Sequence, residues 1–124
     1  MSDHLVESYD KQLELINSNL VKMGGLVEQQ VKDSLKALDD KDTEFAEEIL
    51  KKDDKIDNLE KEIYALAYKI IAMRQPMAND LRTVVSALSI ANDLERMGDH
   101  ATNVAKRVAL SLIHISEPTR RRHI

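Results

Sequence analysis

The 124-residue chain has no cysteine and no tryptophan, and its aromatics stop at three tyrosines and one phenylalanine. Without cysteine it can build neither disulfides nor thiolate metal sites and offers no thiol nucleophile, which fits a reducing compartment. It also lacks an excess of positive charge: the formal net charge is −4. A protein that binds a phosphate backbone carries a basic face that neutralises the polymer, so nucleic acid is set aside as a partner. No apolar run approaches the length of a membrane span, and the opening Met1-Ser2-Asp3-His4-Leu5 has no basic stretch followed by an apolar one. A soluble, cytoplasmic chain is expected. Enzyme signatures are missing too. There is no Gly-rich phosphate loop, no His-Glu-x-x-His, no Glu-x-x-His of the di-iron bundles, and no convincing Ser, His, Asp set. Catalysis is not expected.

What is present is a helical-bundle composition, with 32% charged residues and abundant Leu, Ile, Ala, Lys and Glu. Apolar or large residues at Val6, Tyr9, Leu13, Ile16, Leu20, Met23, Val27, Val31, Leu35 and Leu38 recur in steps of three and four, which predicts a first helix over 5–38. Gly24-Gly25 interrupts it and suggests a kink or a close helix approach. A polar turn at 39–43 follows, in which Asp42 or Thr43 can cap the next helix. The second stripe, Ile49, Ile56, Leu59, Ile63, Leu66, Ile70 and Met73, keeps a near-heptad spacing broken at Lys52, and Gln75-Pro76 stops it. Asn79 or Asp80 can cap a third helix bearing Leu81, Val84, Val85, Leu88, Ile90, Leu94, Met97, Ala101, Val104 and Val108. Three long helices with short turns make an all-α antiparallel three-helix bundle.

Beyond Val108 the pattern changes: Pro118 appears and three arginines follow. The stretch from Leu110 to Arg120 looks like the conceptual translation of a sequencing-library adapter, so 110–124 is expected to be a non-native or disordered tail behind a domain at 1–109. Without residues 111–124, three arginines and one glutamate fewer, the remainder is more acidic still.

Glu95 and Asp99 sit four residues apart in the third helix, where like charges are neighbours and repel by a few tenths of a kcal/mol. Asp53 and Asp57 repeat the spacing in the second. Antiparallel pairing brings together residues whose numbers sum to about 153, which sets Asp53 level with His100 and Asp57 level with Arg96. Two acidic pairs then meet at one height. Measured against the stripe of large apolar residues, at roughly 100° per residue, Glu95 and Asp99 point about 150° away, so both pairs are expected near the surface. Four carboxylates without Cys make a hard, oxygen-rich site for iron, manganese, magnesium or calcium, with zinc admissible. His100 reads as an exposed residue more readily than as a ligand, and Arg96 as a surface partner of an acid. Asn92 and Asn103 share the polar face and can orient ligands. Tyr64, Tyr68, Met73, Met77 and Met97 are spaced as core or rim residues. The plain alternative is a metal-free helical interaction module whose acidic face keeps it soluble.

Three stretches resemble the PhoU family: Asp53-Asp54-Lys55-Ile56-Asp57-Asn58-Leu59-Glu60, Met73-Arg74-Gln75-Pro76-Met77-Ala78-Asn79-Asp80-Leu81-Arg82, and Asp93-Leu94-Glu95-Arg96-Met97-Gly98-Asp99-His100-Ala101-Thr102-Asn103. The resemblance covers about residues 1–109. It implies the first of two tandem three-helix bundles, with E(D)-x-x-x-D motifs that hold surface metal clusters, iron or zinc. Glu95 and Asp99 match that motif in the third helix, Asp53 and Asp57 in the second. It further implies a cytoplasmic adaptor, homodimeric at full length. Such an adaptor links the ATPase of a phosphate ABC transporter to a sensor histidine kinase and restrains the phosphate-starvation response.

Overall fold

In a computed structural model of the chain, the backbone is described for residues 2–74 and 78–115, and side chains for 8–74 and 78–110. Three helices make up nearly all of it: α1 Ser2–Asp40, α2 Thr43–Arg74 and α3 Ala78–Ile115. Each packs on the other two, so the fold is the all-α three-helix bundle that periodicity predicts. Helix α3 extends through Ile115, past the expected end of the apolar pattern. Residues 116–124, most of the segment read as a tail, lie outside the described residues, as does the Gln75-Pro76 stop signal.

The turn between α1 and α2 is tight. Lys41 takes a left-handed conformation (φ 54°), and the Asp42 N–H donates to the Ala37 carbonyl at 3.0 Å, which satisfies the end of α1. Asp42 then caps α2: its Oδ1 accepts the Phe45 N–H at 3.0 Å. Of the two residues offered for that role, Asp42 fills it. Neither residue offered as cap for α3 lies outside the helix. It already begins at Ala78, so Asn79 and Asp80 stand in its first turn, where the Asp80 charge complements the helix dipole.

On α2 the residues facing the bundle axis follow a strict 3,4 alternation, Ala46, Ile49, Asp53, Ile56, Glu60, Ile63, Ala67 and Ile70. The hydrophobic members are buried, and the two acids are half-buried. The expected break in the heptad is therefore Asp53 standing in the seam, with Lys52 exposed beside it. On α1 the buried seam is Ile16, Asn19, Met23, Val27, Gln30, Ser34 and Ala37. On α3 it is Val84, Ala87, Ala91, Gly98, Thr102, Ala105 and Val108, with half-buried Glu95 in phase between Ala91 and Gly98.

These seams correct the large-residue stripes. Leu35 and Leu38 on α1, Met73 on α2, and Leu81, Val85, Ile90 and Met97 on α3 are all exposed. The reason is packing. Small residues on α3 let its neighbours approach, and the bulkier side chains are left at the rim. The Gly24-Gly25 expectation also fails in part. A single helix runs through both, and a Cβ on either would meet nothing within 4 Å. Close approach occurs instead at Gly98, whose missing Cβ would lie 3.4 Å from Ile56 Cδ1 and 3.8 Å from Val27 Cγ2.

The apolar core comes in two parts. The larger gathers Ile16, Met23, Val27, Ile56, Ile63, Ile70, Val84 and Ala91, and the smaller gathers Ala37, Ala46, Ile49, Ala105 and Val108 near the α1–α2 turn. Between them lies a polar layer made of Gln30, Ser34, Asp53 and Thr102.

Candidate metal centre

Helix α2 delivers Asp53 from the seam and Asp57 one turn later, and α3 delivers Asp99 from the opposing rim. One carboxylate oxygen from each of these three residues lies within 4.8 Å of the others. Asp53 and Asp57 are half-buried and Asp99 is exposed, so the site opens on the α2–α3 edge. Antiparallel numbering anticipates this meeting with an offset of two residues: Thr102, not His100, stands level with Asp53, its Oγ1 3.0 Å from Asp53 Oδ1.

Glu95, the fourth residue expected here, lies outside that trio but touches it through Asp99. Its carboxyl is pushed up to about 7, first by a hydrogen bond with Asp99, then by burial and by the charges of Asp99, Glu60 and Asp57. Glu95 does not point away from the core. The expected orientation was measured from Ile90, Leu94 and Met97, whereas the true seam runs through Ala91 and Gly98, which places Glu95 within about 40° of Ala91 on the helix wheel.

A fifth acid belongs to the group and escaped the sequence reading. Glu60 is half-buried one heptad beyond Asp53, and extending the seam by seven would have found it. Burial pushes its carboxyl up, as do Asp57 and Asp99, with the Tyr64 hydroxyl partly offsetting them. Asp57 is raised by burial and then by Asp53, Asp99 and Asp54, and Lys61 pulls it back in part. The cluster thus stores like-charge repulsion that Lys61 relieves only in part. Among the described residues the one salt bridge, Lys32 to Glu28, is on α1.

The other polar residues take lesser parts. Arg96 and His100 are exposed, and Arg96 makes no salt bridge among the described residues. Asn92 and Asn103 are exposed and form no side-chain hydrogen bond among them either. The side-chain hydrogen bonds to Asp53 come instead from two buried residues of other helices. Gln30 of α1 and Thr102 of α3, each 6% exposed, converge on Asp53. Tyr64 and Tyr68 pack as a tilted pair with centroids 6.0 Å apart, Tyr68 at the rim.

A family model described as the PhoU domain matches residues 20–108, a stretch that contains every carboxylate of the cluster. The chain belongs to the PhoU family. A phosphate-specific transport system accessory protein PhoU homolog of Caulobacter vibrioides is 41% identical over 110 residues, covering 89% of this chain and 48% of that protein. Its counterpart in Pseudomonas aeruginosa is 40% identical over 120 residues, or 97% of this chain and 49% of the relative. The crystal structure of PhoU from Pseudomonas aeruginosa superposes with a TM-score of 0.79 at 42% identity, covering 82% of this chain and 49% of that one. The chain thus spans about half the length of the curated PhoU relatives it matches. No helix among the described residues is long and apolar enough to cross a membrane.

Proposed function

We propose that the chain works as part of a phosphate-transport accessory protein whose carboxylate cluster holds a di- or trivalent metal ion bridging α2 and α3. In this reading it is a non-catalytic cytoplasmic adaptor that contacts the transporter's ATPase and a sensor histidine kinase, restrains the phosphate-starvation response, and dimerises at full length. The relatives' name, phosphate-specific transport system accessory protein, supports the transport role.

One observation carries the metal part: three carboxylate oxygens from two helices converge within 4.8 Å, with Glu95 beside them pushed up to about 7. Repulsion of that kind is what a cation relieves, and all-oxygen donors fit the hard metals, with iron and zinc favoured by the family resemblance. Asp53, Asp57 and Asp99 would hold the ion, with Glu95 as a neighbouring ligand. A bound cation would supply the positive charge that lets α2 and α3 pack with their acids ionised, and so set the stiffness of the surface offered to partners. The test is Asp57→Asn combined with Glu95→Gln. Elemental analysis should show iron, manganese or zinc lost while circular dichroism shows the helices retained; unchanged metal content would sink the metal part.

The groove between α1 and α3 favours a second reading, the metal-free interaction module. It is lined chiefly by apolar side chains, Val31, Leu35, Met97, Ala101 and Val104, with Ser34 and His100 beside them. Melting with and without added metal separates the two, because only an ion that binds the folded bundle raises the melting temperature.

A further inference from the structure

We infer that Gln30 and Thr102 are positioning residues for the cation site, so that α1, which contributes no carboxylate to it, sets part of its affinity. This inference rests on the metal reading above.

The geometry is a closed hydrogen-bond circuit across three helices. Gln30 Nε2 lies 2.6 Å from Thr102 Oγ1, 3.3 Å from Asp53 Oδ1 and 3.3 Å from the Gly98 carbonyl. Thr102 Oγ1 lies 3.0 Å from Asp53 Oδ1 and 3.0 Å from the same carbonyl. The amide has two hydrogens and the hydroxyl one. Once Gln30 donates to Thr102, two hydrogens remain for two acceptors. Either the hydroxyl serves Asp53 and the amide serves Gly98, or the reverse. In both arrangements Asp53 Oδ1 receives a donor, and its second oxygen has no protein donor among the described hydrogen bonds. The carboxylate is held by one oxygen and presents the other.

The circuit is rigid for reasons outside the acids. Gln30 and Thr102 are buried, Gly98 leaves no more room than a Cβ in van der Waals contact with Ile56 and Val27 would fill, and Ser34 ties α1 to α3 a turn away by donating to the Ala101 carbonyl at 2.9 Å. Neighbours that orient a metal ligand commonly govern affinity about as strongly as 10–100-fold. A circuit that merely satisfied buried polar groups would affect folding alone. The two roles therefore separate by measurement.

The experiment titrates the full chain, freed of metal, with Mn²⁺ by calorimetry, comparing the wild type with Thr102→Val, Gln30→Met, Thr102→Ser and Asp57→Asn/Glu95→Gln. Thr102→Val and Gln30→Met keep side-chain volume and remove the donors; each should weaken binding about tenfold or more, and Thr102→Ser should stay within about threefold of wild type. Their combination should fall short of the product of the single losses, because both act through one circuit. Mn²⁺ binding equal to wild type in both isosteric variants, with loss in Asp57→Asn/Glu95→Gln, overturns the positioning role and leaves the metal reading standing. Absence of binding by the wild type overturns both. A second measurement needs no variant: the Gln30 side-chain amide resonance should shift when Zn²⁺ is added to the wild type, and an unmoved resonance in a Zn²⁺-saturated protein overturns the inference.

Discussion

Glu95 and Asp99 stand one turn apart on α3, and a hydrogen bond between their carboxyls is the leading cause that pushes Glu95 up to about 7. Glu95 therefore keeps its proton to a higher pH than an isolated surface glutamate would.

Removing metal should therefore make the fold sensitive to pH in an unusual direction for a carboxylate. Across the window from 4.5, the ordinary value for Glu95, to about 7, the native state binds more protons than the unfolded chain. Stability is then full below that window and falls as pH rises through it. Burial raises Asp57 and Glu60 in the same direction, adding to the trend. In chelator, the urea midpoint at pH 5 should exceed that at pH 8. Glu95→Gln should flatten the difference, and a midpoint that climbs between the two pH values would contradict the raised Glu95 carboxyl.

The turn between α1 and α2 offers a pair of opposite changes. Lys41 holds a left-handed backbone (φ 54°) that costs a residue with a Cβ about 1 kcal/mol, so Lys41→Gly should stabilise by about that amount. Asp42→Ala removes the acceptor for the Phe45 N–H and should destabilise by about 1 kcal/mol. Denaturant midpoints of the two variants should move to either side of wild type.

Gly24 and Gly25 should be replaceable. Both lie inside a continuous helix, and a Cβ on either meets open space. Each change to alanine should stabilise by about 1 kcal/mol through helix propensity. Destabilisation by either, measured by thermal or urea unfolding, would revive the idea that the pair serves a close approach.

How far the sequence spoke depended on the size of the residues speaking. Ile49, Ile56, Ile63 and Ile70 are large, regularly spaced and buried, and they mark the seam of α2 without ambiguity. The two acidic i, i+4 pairs were legible from spacing, and chain reversal alone sufficed to bring Asp53, Asp57 and Asp99 to one height. On α3 the axis-facing residues are chiefly alanines and a glycine, which carry little hydrophobic signal. The eye follows Ile90 and Met97 instead, and the helix is read with the wrong phase. That one error turned Glu95 outward and hid Thr102. Gln30 was hidden for a related reason: a polar residue at a buried position breaks an apolar stripe, and only its partners on two other helices explain why it is there.

The polar layer also has a consequence for how the helices choose their alignment. A seam of alanines offers nearly equivalent packing when one helix slides by a heptad, and hydrophobic contact alone discriminates poorly between such alignments. Here, sliding α3 by seven residues would bring either Glu95 or Ala109 to the place of Thr102. Asp53 would then be repelled by a second carboxylate, or it would lose the Thr102 hydroxyl to a methyl group that also leaves a Gln30 donor unmatched. Polar residues within a helical seam are well suited to selecting one register in this way. The Gln30, Asp53 and Thr102 layer thus acts as an index mark for α3, penalising its one-heptad misalignments.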